Sequence, residues 1–277
     1  DGVLWTGSQL IDGTLESLEV FRELGKRVLF LTNNASKSRQ QYKQKFDSLG
    51  IQVSPDEIIP ASYCAAAYLQ SLGFQKKVFL IGTSGIEQEL EQAGISFVGG
   101  EDNSYVPCLQ SGEDIKQLEV DSDIGAVVVG FDPFFSYDKL AYASVCLREI
   151  PGCMFVVTNA DHGDNVGGGR IMPVTGSLAA AVERASGRSG LVVGKGGPWL
   201  LPWLCEQYGL EDTSRVCIVG DRLDTDIALG RDGGLQTFLP MTGVSTAKML
   251  NNLDSDAVPD YWMPSLSTLA GLCSKPI

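Results

Sequence analysis

The sequence predicts an α/β fold: a doubly wound, Rossmann-like parallel-sheet core with an inserted α/β cap domain. Three observations predict it. Short apolar runs alternate with segments of helical period along most of the 277 residues. A polar stretch without period interrupts that alternation near the middle, and a second strand-helix-strand set follows it. The last third then returns to the first pattern, so both ends of the chain build one core. The expected division is a core from 1–98 and 190–277 with an inserted domain over 99–189.

Each element rests on its own pattern. Thr14–Leu24 carries Leu15, Leu18, Phe21 and Leu24 at helical spacing, and Arg27–Leu31 is a short apolar strand ending in Thr32-Asn33-Asn34. Ser38–Leu49 reads as a polar helix and Pro60–Leu72 as an alanine-rich one, closed by Gly50 and Gly73 as C-caps. Val78–Gly82 is a strand and Ile86–Ala93 a helix. Gly99 to Val120 reads as a connection. Ala126–Gly130 and Met154–Thr158 are strands flanking the helix Lys139–Ile150. Ala160–Thr175 is a glycine-rich polar loop, long enough to be functional. Ser177–Ser186, Trp199–Tyr208 and Ile227–Gly230 are helices; Leu191–Gly194, Val216–Gly220 and Gln236–Leu239 are strands.

Composition narrows the function. Hydrophobic residues make up 44% and charged residues 20%, a globular balance. A net charge of −13 argues against a nucleic-acid surface. It also means that an anionic ligand needs a local positive site, from a metal, a lysine or backbone N–H groups. The seven cysteines are scattered without a C-x-x-C pair, and read as reduced structural thiols. No apolar stretch is long enough to span a membrane.

The chemistry concentrates in acidic turns. Val216-Cys217-Ile218-Val219-Gly220 ends an apolar strand, and Asp221, Asp224 and Asp226 follow within six positions. Carboxylates crowded at the C-terminal edge of a parallel strand sit where α/β sheets bind ligands, and a hard cation relieves their repulsion. Asp1-Gly2-Val3-Leu4-Trp5 is a second acidic turn. Each residue has a plainer reading. Thr32-Asn33-Asn34 can cap a helix, Lys195 can be a solvated surface lysine, and Asp224 and Asp226 can favour a helix N-terminus. For Asp224 the plainer reading is preferred. For Asp221, directly after an apolar strand, the ligand reading is preferred.

Four segments in order, Asp1-Gly2-Val3-Leu4-Trp5, Leu31-Thr32-Asn33-Asn34, Val193-Gly194-Lys195 and Gly220-Asp221-Arg222-Leu223-Asp224-Thr225-Asp226, resemble the haloacid dehalogenase superfamily of phosphatases. The match is to its large-cap branch, which contains phosphoglycolate and pyridoxal phosphate phosphatases. Gly130-Phe131-Asp132-Pro133, Thr158-Asn159 and Met241-Thr242-Gly243-Val244-Ser245-Thr246 also look like that branch. The resemblance implies a Mg²⁺-dependent hydrolase that passes through an aspartyl phosphate. It makes Asp1 the general acid and base, with its backbone carbonyl on the metal. Thr32, the Asn33 backbone and neighbouring Asn34 would hold phosphoryl oxygens, and Lys195 would neutralise the phosphate. Asp221 would ligate Mg²⁺ directly, and Asp226 would support the site from behind the ligands. Asn159 and His162, with Asp161, are expected to help select the substrate, and Arg170 is a candidate for a substrate carboxylate.

Two departures qualify the resemblance. The family's nucleophile is the first aspartate of an Asp-x-Asp-Gly motif, and falls upstream of Asp1. The expectation is a chain missing its own N-terminal piece rather than a polypeptide without the nucleophile. After Lys195 the family usually has proline, whereas this chain has Gly196-Gly197-Pro198. The resemblance ranks 2-phosphoglycolate first among substrates and pyridoxal 5′-phosphate second. A non-catalytic pseudophosphatase that binds phosphorylated ligands is the reading from another class. The expected partner is a small phosphorylated metabolite, with neither nucleic acid nor membrane, and the inserted domain offers a surface for a homodimer. Cytoplasm and plastid stroma are both open as locations.

Overall fold

The computed structural model describes residues 1–250 and 258–273. The strands are β1 (Trp5–Thr6), β2 (Gln9–Leu10), β3 (Phe30–Thr32), β4 (Ile58–Pro60), β5 (Lys77–Ile81), β6 (Phe97–Gly99), β7 (Ile124–Val129), β8 (Met154–Val157), β9 (Gly163–Asn165), β10 (Ile171–Pro173), β11 (Leu191–Val192), β12 (Cys217–Val219), β13 (Gln236–Pro240) and β14 (Tyr261–Met263). The helices are α1 (Thr14–Glu23), α2 (Arg39–Ser48), α3 (Ala61–Ser71), α4 (Ser84–Gln92), α5 (Gly112–Lys116), α6 (Tyr137–Glu149), α7 (Thr175–Ser186), α8 (Leu200–Tyr208), α9 (Ala228–Asp232), α10 (Ala247–Leu250) and α11 (Leu266–Cys273). The chain divides into two compact units. One holds Asp1–Leu29, Gln44–Glu57 and Leu201–Ile277, and the other Phe30–Lys43 and Ile58–Leu200.

The second unit is built on a parallel sheet of order β11-β8-β7-β5-β6. Its central strand β7 reads Ile-Gly-Ala-Val-Val-Val and is buried at every position. A strand covered on both faces needs such an unbroken apolar run, since there is no wet face for alternate residues. Tyr142, Cys146 and Leu147 of α6 and Ala179 and Val182 of α7 belong to the same core as Phe79, Val127, Val129 and Phe155. Burial pushes the Cys64 and Cys146 thiols up to about 12, which keeps both unreactive. The unit also holds the parallel pair β3-β4, with Leu31 opposite Ile59 and Thr32 opposite Pro60.

The first unit carries a three-stranded parallel sheet, β12-β13-β14, and the hairpin β1-β2. Helix α1 packs on α11, and Gly13 meets Ser267 there. Trp5 stacks edge-on against Phe46 at 5.1 Å between ring centroids. Cys217 of β12 is exposed, and Ile218 and Val219 are only half-buried. The apolar sequence of this strand predicts deeper burial. Among the described residues β13 is the strand that pairs with it, in parallel.

Strands β5 and β6 share one parallel sheet with β7, β8 and β11. A strand-helix rhythm shows that parallel strands exist, but not which of them pair. Ala160–Thr175, expected as a loop, folds into the antiparallel hairpin β9-β10, with Met172 opposite Asp164. Its strands are only three residues each and lack apolar alternation. Gly167, Gly168 and Gly169 at its tip take φ of 88°, 60° and 75°, which an L side chain resists. Finally, the helix expected from Ile227 begins earlier, as a wide π-type turn over Leu223–Ile227 that includes Asp226.

Candidate active site

In the first unit, Asp221 stands at the end of β12 and is 8% exposed. Its Oδ2 accepts the Val244 N–H at 2.7 Å, and its carbonyl accepts the Ser245 N–H at 3.1 Å. The loop Met241–Thr246 therefore grips both ends of this residue. Gly243 makes the grip possible, because a Cβ there would collide with the Asp221 carboxylate. Gly2 also crowds that carboxylate, at a φ of 75°. The Gly2 carbonyl accepts the Thr242 hydroxyl at 2.5 Å, so the Asp1-Gly2 turn is tied to the same loop. Sequence reasoning noted this loop only as part of the resemblance. Its physical signal is a glycine placed after an apolar strand that must pass close to a neighbouring strand end.

Asp226 is 4% exposed. Its Oδ2 accepts the Arg222 N–H at 3.2 Å, and its side chain lies against Gly220, where a Cβ would overlap it. Asp224 is directed elsewhere. Its exposed carboxylate takes a bidentate pair from Arg222 at 3.1 and 2.8 Å. Asp1 is exposed at the other acidic turn, with an oxygen 3.9 Å from Lys45 Nζ, which itself lies 4.2 Å over the Trp5 ring. Among the described residues no three His, Cys, Asp or Glu side chains gather into a metal set. The donors present still suit Mg²⁺. Asp221 and Asp226 are buried carboxylates, and the hydroxyls of Thr225 and Ser245 are buried without a hydrogen-bond partner. Mg²⁺ commonly takes one or two protein carboxylates and keeps several waters.

In the second unit, Thr32 ends β3, and its hydroxyl oxygen accepts the Asn34 N–H at 3.2 Å. Asn34 is exposed and spends its Oδ1 on the Ser36 N–H and hydroxyl, at 2.8 and 2.6 Å. This turn is anchored from behind. The Arg39 N–H and Nε donate to the buried Glu89 of α4 at 2.6 and 3.0 Å, and Gly85 lets α4 approach the Ser36–Lys37 backbone. Burial pushes Tyr42 up to about 12, against a hydrogen bond with Thr32 that lowers it.

Asn33 and Lys195 come together across 162 positions of sequence. The Lys195 N–H donates to Asn33 Oδ1 at 2.8 Å, and Asn33 Nδ2 donates to the Lys195 carbonyl at 3.2 Å. Asn33 Nδ2 also donates to Asp161 Oδ2 at 2.8 Å, and Asn159 Nδ2 reaches the same oxygen at 2.7 Å. The turn after Lys195 uses glycine in place of the family's proline. Gly196 has φ 91°, and Gly197 passes so close to Val192 that a Cβ would clash with its carbonyl. His162 is exposed and is held through its backbone, its carbonyl accepting the Ser177 hydroxyl at 2.7 Å. Asn159 is 4% exposed and belongs to the Asp161 network. Arg170 sits exposed at the tip of the β9-β10 hairpin.

Comparison with known proteins identifies the family. A haloacid dehalogenase-like hydrolase model matches residues 1–96, and a second model of the same class matches residues 192–269. Phosphoglycolate phosphatase 1A of Arabidopsis thaliana, a chloroplastic protein, is 43% identical over 96% of this chain and 74% of its own length. Phosphoglycolate phosphatase 2 of the same plant is 40% identical over 100% and 92%. Glycerol-3-phosphate phosphatase of Homo sapiens is 38% identical over 97% and 87%. Among solved structures, 4-nitrophenylphosphatase of Thermotoga maritima superposes with a TM-score of 0.81 at 30% identity, covering 98% of this chain and 94% of that one. A glycerol phosphate phosphatase of Mycobacterium tuberculosis, solved with magnesium, gives 0.76 at 27%, covering 97% and 74%. The chain belongs to the haloacid dehalogenase-like hydrolases and is a phosphatase of that family.

Proposed function

We propose that this phosphatase is Mg²⁺-dependent and hydrolyses 2-phosphoglycolate through an aspartyl-phosphate intermediate. The substrate choice is carried by the 43% and 40% identity to two phosphoglycolate phosphatases over nearly the whole chain. Asp221 and the Asp1 backbone carbonyl are assigned to the metal directly, and Asp226 supports the metal site from behind these ligands. When bound, the ion neutralises phosphate charge and orients its oxygens. The Lys195 ammonium supplies the local positive charge that an anionic substrate needs in a chain of net charge −13. The Thr32 hydroxyl and Asn33 backbone hold phosphoryl oxygens.

The nucleophile is assigned to the aspartate that the resemblance puts two positions before Asp1. Its carboxylate takes the phosphoryl group as the ester P–O bond breaks, and the Asp1 carboxyl protonates the leaving alcohol. Asp1 then takes a proton from the water that attacks the phosphorus, releasing phosphate and restoring the carboxylate. Asn159 and His162 remain assigned to the segment that selects the substrate. The ligand is a small metabolite, with no nucleic acid or membrane partner, and a homodimer is the proposed assembly. No described helix is long and apolar enough to cross a membrane. Cytoplasm and plastid stroma are the proposed locations, the second supported by a chloroplastic relative.

Glycerol 3-phosphate is a second reading, favoured by 38% identity to the human enzyme. The test is phosphate release by protein with its natural N-terminus, with and without Mg²⁺, from 2-phosphoglycolate, glycerol 3-phosphate and pyridoxal 5′-phosphate. The highest kcat/KM on 2-phosphoglycolate is expected. Preference for either other ester replaces the substrate, and folded protein that binds Mg²⁺ without turning over any of them is the pseudophosphatase.

A further inference from the structure

We propose that Asp161 is a positioning residue that locks the orientation of the Asn33 amide and thereby fixes the backbone of Lys195. The inference rests on the phosphatase reading for its catalytic consequence, but its geometry lies wholly within the second unit.

The argument starts from donor and acceptor counts. An asparagine side chain has two N–H donors and one carbonyl acceptor. At Asn33 both ends are engaged. Oδ1 accepts from the Lys195 N–H at 2.8 Å, while Nδ2 donates to the Lys195 carbonyl at 3.2 Å and to Asp161 at 2.8 Å. The side chain thus pairs with the Lys195 main chain from both sides, as a neighbouring strand would. It is spent on this pairing and acts as a strut rather than a substrate ligand.

A planar amide can be turned over, and then its NH₂ would face the Lys195 N–H, donor against donor. Asp161 Oδ2 already accepts from Asn159 and presents an acceptor to Asn33, so it favours one orientation: Nδ2 toward itself and Oδ1 toward Lys195. Asn159 is set by the same rule. Its Nδ2 donates to Asp161 Oδ2 at 2.7 Å, and its Oδ1 accepts the Thr158 hydroxyl at 2.9 Å. Asp161 is 7% exposed and Asn159 4%, so water competes little for these bonds. Gly194 closes the arrangement. A Cβ there would come 2.8 Å from Asn33 Oδ1 and clash with the Thr158 carbonyl. Lys195 is consequently held at its backbone by a residue 34 positions away that its own flexible glycine turn could not replace. Small displacements of a charge that stabilises phosphoryl transfer are costly, about 100-fold for 1 Å.

The experiment compares Asp161→Leu with Asp161→Asn in protein with its natural N-terminus. Its first readout is hydrogen exchange at the Lys195 amide, which needs no turnover. Exchange about 10-fold faster in Asp161→Leu is expected, with most protection restored in Asp161→Asn, whose carbonyl can still accept both amides. The second readout is kinetic. Asp161→Leu should lower kcat and weaken competitive inhibition by inorganic phosphate, each about 10-fold or more per folded molecule, with the Mg²⁺ concentration for half activation unchanged. Asp161→Asn should recover most of both. Unchanged Lys195 exchange in Asp161→Leu overturns the proposal. So does a change in KM ranking among esters at constant phosphate inhibition, which would make Asp161 a substrate contact. Equal damage from Leu and Asn overturns it too, by making the charge rather than the acceptor the essential feature. A wild-type protein that hydrolyses none of the three esters would fail the phosphatase reading, while the exchange readout still decides the role of Asp161.

Discussion

The Asp221 cluster and the Asn33–Lys195 cluster reach rigidity by different means. Asp221 is held by backbone: the Val244 N–H on its carboxylate, the Ser245 N–H on its carbonyl, and glycines at 2 and 243 that let main chain touch it. Asn33 and Lys195 are held by side chains, through an amide, a carboxylate and a second amide whose partners lie more than a hundred positions apart in sequence. A short buried carboxylate has few geometric choices once backbone dipoles point at it. A flexible lysine has many, and needs a network to remove them. The first cluster should therefore fail at single atoms, and the second in proportion to how many network bonds are lost.

The sharpest break is expected at Asp221, the proposed metal ligand. Asp221→Asn should leave thermal unfolding nearly unchanged while cutting Mg²⁺-dependent turnover by about 100-fold or more. Normal turnover and normal Mg²⁺ affinity in that variant would remove Asp221 from the metal. Next in size is Gly243→Ala, which adds only a methyl group. Because that methyl overlaps the Asp221 carboxylate, Mg²⁺ affinity should weaken by about 10–100-fold, read by titration calorimetry. A silent Gly243→Ala would show that the loop yields and that backbone grip is not what holds Asp221.

Smaller effects sharpen the contrast from the other side. Exchanging 160–175 for the equivalent segment of a glycerol-3-phosphate phosphatase, with Asn159 and Asp161 retained, should reorder kcat/KM among esters. The Mg²⁺ requirement should stay within about 2-fold of its original value, since the hairpin is not part of the Asp221 unit. Equal losses on all esters would count against a selecting role. The smallest effect belongs to Asp224→Ala. Its bidentate pair with Arg222 is exposed, so stability should move by about 0.5 kcal/mol or less, and turnover should hold. A large loss of turnover there would return Asp224 to the site and blur the distinction between its three neighbouring carboxylates.

Much of this was legible in local sequence. The apolar run Ala126–Gly130 announces a strand, which spans Ile124–Val129 and is buried at every position, and Gly50 and Gly73 mark helix ends where φ is 76° and 62°. Asp221 could be singled out because a carboxylate directly after an apolar strand is costly without a function. Asp161 was harder to read, grouped with Asn159 and His162 as a selector of substrate. Nothing in Thr158-Asn159-Ala160-Asp161 says that its carboxylate meets Asn33. The β9-β10 hairpin was hidden because three-residue strands flanking three glycines carry no period.

The sequence by itself determined the α/β class, the alternation of the longer strands and helices, and the residue types that can handle a phosphate. Those follow from periodicity, burial preference and side-chain chemistry, which act over a few neighbouring residues. Only the tertiary structure decided that β5 and β6 join β7, β8 and β11, that Asp226 lies within a π-type turn, and that Asn33 is a strut for Lys195. Parallel strands pair through long crossovers, and a side-chain amide finds its partners only once they are brought within hydrogen-bond distance. Both are settled by packing across the chain, and no local pattern encodes them.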